Sequence, residues 1–205
     1  MTSIDSYIDR VDVSSMLKKR VDAFHRGYRQ NIGLVGDPNM GKSSILHQFV
    51  LSFPYQDMIP IYIEVVPEPF DYFAKKFMGT LLHSYIRSSG LLIPVSFDGL
   101  VKRTRKYLPQ TLKRMRRIRH LVQKKENDKA FEELLQLPDV LSKDSGRKVI
   151  FIIDEFDRME QFNLKDIYTV FSHEIMVQKD TMYIVSSSDP SKAEDIFRQK
   201  LSLLF

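Results

Sequence analysis

Gly36-Asp37-Pro38-Asn39-Met40-Gly41-Lys42-Ser43 satisfies the spacing G-x-x-x-x-G-K-[ST], and Ser44 continues it into a helical pattern. Asn31-Ile32-Gly33-Leu34-Val35 before it reads as a short buried strand, and Ser44 to Val50 after it as the start of a helix. Strand, glycine-rich loop and helix form the context in which such a loop cradles phosphates. Backbone N–H groups and the positive helix end would face the phosphates, with Lys42 as a mobile point charge. The Ser43 hydroxyl would ligate Mg²⁺. All nine residues from Gly36 to Ser44 are candidates for binding the nucleotide.

The second chemical cluster is Ile150-Phe151-Ile152-Ile153-Asp154-Glu155. An apolar run of this kind enters a parallel sheet and leaves its acidic pair at the C-terminal edge, where open α/β sheets bind ligands. Asp154 is suited to hold Mg²⁺ through water, and Glu155 to orient and deprotonate an attacking water. Either carboxylate could instead be a solvated strand end. Ser186-Ser187-Ser188 closes the next strand, and Ser187 could sense the γ-phosphate; an N-cap cluster before Pro190 is the other reading. Arg198 could face the γ-phosphate, in cis or across a subunit interface, or be an ordinary surface arginine. No Asn-Lys-x-Asp guanine-reading sequence occurs, which favours ATP over GTP. A phosphotransferase stays open, although Glu155 suits water activation.

These groups need a scaffold. The patterning predicts an amphipathic helix over Ser15 to Tyr28 capped by Ser14, the loop helix ending near Phe53, and a strand over Ile59 to Val65. It then predicts helices over 71–88, 100–108, 109–125, 129–137 and 163–178, a strand at Met182 to Val185 and a helix from Pro190 to Lys200. Four strands with helical crossovers imply a parallel three-layer α/β sheet.

At 205 residues and 43% hydrophobic content, the chain can bury the core of one domain, 1–205. There is no cysteine to form disulfides or thiolate metal sites. With no apolar run of membrane-spanning length and no signal-peptide pattern at the start, a soluble cytoplasmic protein is expected and a membrane role is not. Within a helical insertion at 91–146, residues 99–125 hold eleven Lys or Arg and no Asp or Glu, against a net charge of +5 for the whole chain. That segment could neutralise the phosphates of DNA or RNA, lie on an anionic surface, dock an acidic protein face, or simply be solvated.

Tyr7-Ile8-Asp9-Arg10, the strand and loop from Asn31 to Ser44, Phe151 to Phe156, Ile184 to Ser188 and Phe197 to Phe205 together resemble AAA-like, STAND-type P-loop ATPases. The archaeal-type ATPase domains share this layout, as do, more distantly, the origin-initiator ATPases. The resemblance implies phosphate binding by Gly36, Gly41, Lys42 and Ser43, Mg²⁺ binding through Asp154, water activation by Glu155 and a polar sensor at Ser187. Tyr7 and Ile8 fall where such proteins line the adenine pocket. The family sheet has the order 5-1-4-3-2; here the order 1-4-3-2 is expected, without the fifth strand or the C-terminal helical lid. The Leu204-Phe205 ending lacks the Gly-Arg pair common in the family. A slow, Mg-dependent ATPase switch that controls assembly is the implied function, with a protein partner or second copy across the uncovered sheet edge. A nucleotide-dependent nucleic-acid or protein binding module with little hydrolysis is the alternative.

Overall fold

The computed structural model describes residues 11–202 and 204–205. Four strands, β1 (Ile32–Val35), β2 (Met58–Glu64), β3 (Lys148–Asp154) and β4 (Thr181–Ser187), form one parallel sheet in the order β1-β4-β3-β2. This is the expected three-layer α/β arrangement. Pro60, which cannot donate to a ladder, lies in β2 at one edge of the sheet, where its missing N–H can face away from β3.

Each strand divides its side chains between two faces with period two. Ile150 and Ile152 of β3, with Met182 and Ile184 of β4, meet α1 (Val11–His25) and α2 (Lys42–Leu51) through Leu17, Val21, Phe24, Ile45 and Leu46. Val149, Phe151 and Ile153 take the opposite face. There they meet α3 (Phe70–Ser88), the helices α4 (Phe97–Thr104), α5 (Pro109–Gln123), α6 (Asn127–Leu135) and α7 (Leu137–Ser145), and then α8 (Ile167–Met176) and α9 (Pro190–Lys200). The basic stretch is therefore part of a packed layer, and its apolar stripe Leu112, Met115 and Ile118 is buried in the same core as the sheet.

Several boundaries differ from expectation for local reasons. Ser14 lies inside α1 rather than capping it. The helix expected over 100–108 starts earlier, because the Ser96 side chain accepts from the Gly99 N–H at 3.1 Å. The segment after Leu135 folds into a further helix, α7, which Gly146 ends in a left-handed conformation (φ 66°). The Asp144 carboxylate of α7 accepts from the Thr111 N–H at 2.7 Å and the Thr111 hydroxyl at 2.9 Å, and so satisfies the opening turn of α5. The expected helix over 163–178 is shorter, and a 3-10 turn, Phe156–Phe162, precedes it. Pro190 opens α9 as expected, with the Asp189 side chain accepting from the Lys192 N–H.

Candidate functional site

Period two also decides which side chains meet above the sheet. Asp154 has the parity of Ile150 and Ile152, so it belongs to the face covered by α2. Ser186 has the parity of Met182 and Ile184 on β4, and Tyr62 packs against the same cluster from β2. These three polar groups therefore converge at the strand ends, beside the start of α2. Asp154 is fully buried, and both of its oxygens are held. The Ser186 hydroxyl donates to Oδ1, and the Tyr62 hydroxyl donates to Oδ2 at 2.5 Å.

Tyr62 also links the two halves of the site. Burial, then the hydrogen bond to Asp154 and that carboxylate's charge, push the phenol far above its ordinary range; hydrogen bonding with Ser43 works the other way. The phenol is thus a protonated donor to the Asp154 carboxylate throughout the neutral range. His47, one turn beyond Ser43 on α2, packs its ring on Tyr62 with centroids 4.1 Å apart.

The loop before α2 turns through two left-handed residues. Gly41 is left-handed (φ 81°) immediately before Lys42, a conformation that favours glycine. Asn39 is left-handed as well (φ 64°). Asp37, Pro38, Asn39, Met40 and Ser44 are exposed around the mouth of the loop, and the Gly36 N–H donates to the Ser187 carbonyl at 3.4 Å. The Lys42 ammonium donates to the Gly36 and Asp37 carbonyls, at 2.8 and 2.9 Å. Its charge is thereby folded back over the loop itself.

Glu155 follows Asp154 in a left-handed conformation (φ 56°) that turns the chain out of the sheet into the 3-10 helix. Its side chain is buried. The Ser188 hydroxyl donates to Oε1, Arg158 lies 3.4 Å from Oε2, and the Glu155 N–H donates to Ser186 Oγ at 3.4 Å. The three serines after β4 therefore divide their work. Ser186 holds Asp154 and Ser188 holds Glu155, whereas the Ser187 hydroxyl turns into the next loop, donating to the Asp189 carbonyl at 3.2 Å and accepting its N–H at 3.1 Å. Arg198 is exposed on α9 and pairs with Glu194 at 2.5 Å. Tyr7 and Ile8 lie outside the described residues.

Among the described residues no group of three or more His, Asp or Glu has metal-binding geometry. One hydroxyl and one carboxylate, Ser43 and Asp154, is nevertheless the kind of donor set that suits Mg²⁺. That ion keeps several waters and takes its other ligands from phosphates. Sequence reasoning passed over Tyr62, whereas Asp157 and Arg158 were open between shaping the site and a solvated helix start. The signal for Tyr62 was a single polar-tipped side chain in Ile59-Pro60-Ile61-Tyr62-Ile63, on the parity that faces α2.

The basic segment divides into paired and unpaired parts. Arg114 donates to Glu133 at 2.7 Å, and Arg117 lies 3.0 Å from the same carboxylate. Arg114 also donates to Gln136, which donates to Glu174 at 2.8 Å and so ties α5 to α8. Arg119 lies over the Phe97 ring, 5.9 Å from its centroid. Lys102, Arg103, Arg105 and Lys106, at the end of α4 and just beyond it, are exposed and have no carboxylate partner among the described residues. Three of them line an open groove with Leu91, Pro94, Gly99 and Tyr107.

No protein-family model matches the sequence, and no curated protein matches it. Solved structures do match. The Walker-type ATPase paby2304 of Pyrococcus abyssi is similar with a TM-score of 0.58 at 16% identity, over 96% of this chain and 50% of that one. The ADP form of the Aeropyrum pernix ORC2 protein is similar with a TM-score of 0.51 at 12% identity, over 100% of this chain and 47% of that one. The chain thus spans about half the length of each. At such identities the likeness establishes architecture alone: this chain has a three-layer α/β fold with a parallel sheet of strand order 1-4-3-2, consistent with a P-loop NTPase fold.

Proposed function

We propose that this chain is a Mg²⁺-dependent ATP-binding and hydrolysing switch domain of the AAA-like, STAND type. The observation that supports this best is the buried Asp154 carboxylate, held by Ser186 and Tyr62 at the strand end beside the glycine-rich loop. A buried carboxylate at a strand end and a hydroxyl at the first turn of a helix stand beside a glycine-rich loop with its lysine. Bound Mg²⁺ would supply charge neutralisation to the β- and γ-phosphates. The protein's own groups do the rest. Gly36, Gly41 and the N–H groups opening α2 bind phosphate oxygens, and Lys42 exchanges its two carbonyl partners for them. Ser43 and Asp154 hold the metal, and Glu155 accepts a proton from the attacking water.

Glu155 is already engaged by Ser188 and Arg158, which supports slow turnover: the carboxylate must be freed before it can act as a base. The test is ATP binding and phosphate release by the purified chain with and without Mg²⁺. Mg-dependent binding with slow release of phosphate is expected. Absence of nucleotide binding to a folded chain would sink the reading.

A second reading stands beside it, favoured by the four unpartnered cations at 102–106. In that reading the chain is a nucleotide-dependent binding module for nucleic acid or an acidic protein face, and α4 makes the contact. Arg114 and Arg117 of α5 serve the fold instead.

A further inference from the structure

We infer that Tyr62 is a positioning residue for the metal half of the site, its hydroxyl holding the Asp154 carboxylate in the orientation that Mg²⁺ requires. This rests on the proposed nucleotide site, and it assigns a role to a residue of β2 that the loop and the acidic pair do not include.

A buried carboxylate has two oxygens and roughly four acceptor directions. Asp154 lies at a strand end with no solvent to fill them. Ser186 on β4 takes one oxygen and Tyr62 on β2 the other, so the neighbouring strands on both sides hold the group like a clamp. The χ2 torsion of an aspartate is broad and roughly two-fold, and left alone it would let the carboxylate turn. Two donors on different oxygens stop that rotation. The aromatic ring is itself fixed, packed under His47 from α2 and against the α1–α2 core. Phenylalanine would fill the same volume without the donor. Metal sites depend on such outer partners: they orient ligands, and their loss costs about ten- to a hundredfold in metal affinity.

The experiment measures binding of a fluorescent ATP analogue to the full chain, in EDTA and in saturating Mg²⁺, for wild type, Tyr62→Phe and Ser186→Ala. The wild type is expected to bind more tightly with Mg²⁺. Tyr62→Phe should bind within about twofold of wild type in EDTA yet lose about tenfold or more of the Mg²⁺-dependent tightening. The rise in melting temperature caused by Mg²⁺ and nucleotide together should shrink in parallel. A merely structural tyrosine would lower the melting temperature and leave the ratio of the two affinities unchanged, which overturns the inference. So would a larger ratio, since the phenol would then be competing with the metal. Should Tyr62→Phe fail to fold, Ser186→Ala carries the same test from the other oxygen. A wild type that binds the analogue equally in both conditions removes the metal site and this inference with it, but leaves nucleotide binding standing. A folded wild type that binds no nucleotide refutes the proposed function itself.

Discussion

In the proposed hydrolysis the base would be Glu155, and its surroundings restrain it. A left-handed backbone costs a non-glycine residue about 1–2 kcal/mol, and here that cost brings the carboxylate next to Asp154 at the sheet edge. Ser188 and Arg158 then occupy its two oxygens. A carboxylate in this setting can act as a base only when one of those contacts opens. Glu155→Gln keeps the size and can still accept from Ser188, so nucleotide affinity should stay within about twofold while phosphate release falls by about 10²–10⁴, the range for removing a general base. Single-turnover hydrolysis with both proteins checks it, and a glutamine variant that hydrolyses normally would remove Glu155 from the mechanism. Arg158 gives a prediction of the opposite sign. Arg158→Ala should raise the rate of phosphate release, because it frees Oε2 and leaves Ser43 and Asp154 alone. A lower rate would mean that Arg158 helps the reaction instead of restraining it.

At the scale of elements, the legible parts of the sequence were those where one local rule decides. The G-x-x-x-x-G-K-S spacing and the apolar run into Asp154 placed both halves of the candidate site, and Pro109 and Pro190 marked helix starts that the structure retains. What was not legible depends on partners distant in sequence. The clamp on Asp154 joins β2, β3 and β4, and no spacing within any one of them announces it. The same holds for the choice among three adjacent serines, which turns on strand parity and on the tight turn at Asp189. Gly33 is a further example, since its reason lies in α9. A Cβ there would come within 2.7 Å of the Phe197 ring, itself wedged between Phe156 and Phe205 with centroids 5.4 and 5.3 Å away. The glycine lets α9 close onto β1, the strand that leads into the glycine-rich loop. Gly33→Ala should therefore destabilise the fold by about 1–3 kcal/mol through overpacking, and Phe197→Leu should relieve part of that loss. Urea denaturation of the two single variants and the double variant measures the coupling; strictly additive effects would mean the ring yields freely.

For the whole molecule, charge is divided between two tasks that the sequence merges into one run. The eleven cations of residues 99–125 outweigh an otherwise acidic chain, but their number overstates what is offered to a partner. Arg114 and Arg117 meet Glu133, and through Gln136 the network reaches Glu174 on α8. Removing Arg114 leaves a largely buried carboxylate without its main donor. Arg114→Met should therefore cost about 1–3 kcal/mol of stability while changing polyanion binding little. The cations at the end of α4 and just beyond it are the reverse case, since Lys102, Arg103 and Lys106 line a groove beside Tyr107 and balance no carboxylate among the described residues. If nucleic acid is the partner, Lys102→Gln, Arg103→Gln and Lys106→Gln combined should leave the melting temperature unchanged. The same triple variant should lower the slope of log affinity against log salt for a single strand by about two, at roughly 0.7 per lost phosphate contact. Fluorescence anisotropy with a labelled oligothymidine at several salt concentrations provides the slope, with Arg114→Met as the stability control. An unchanged slope in the triple variant, with binding intact, would move the contact away from α4; no binding by the wild type at low salt would leave an acidic protein face as the chemistry that fits these cations.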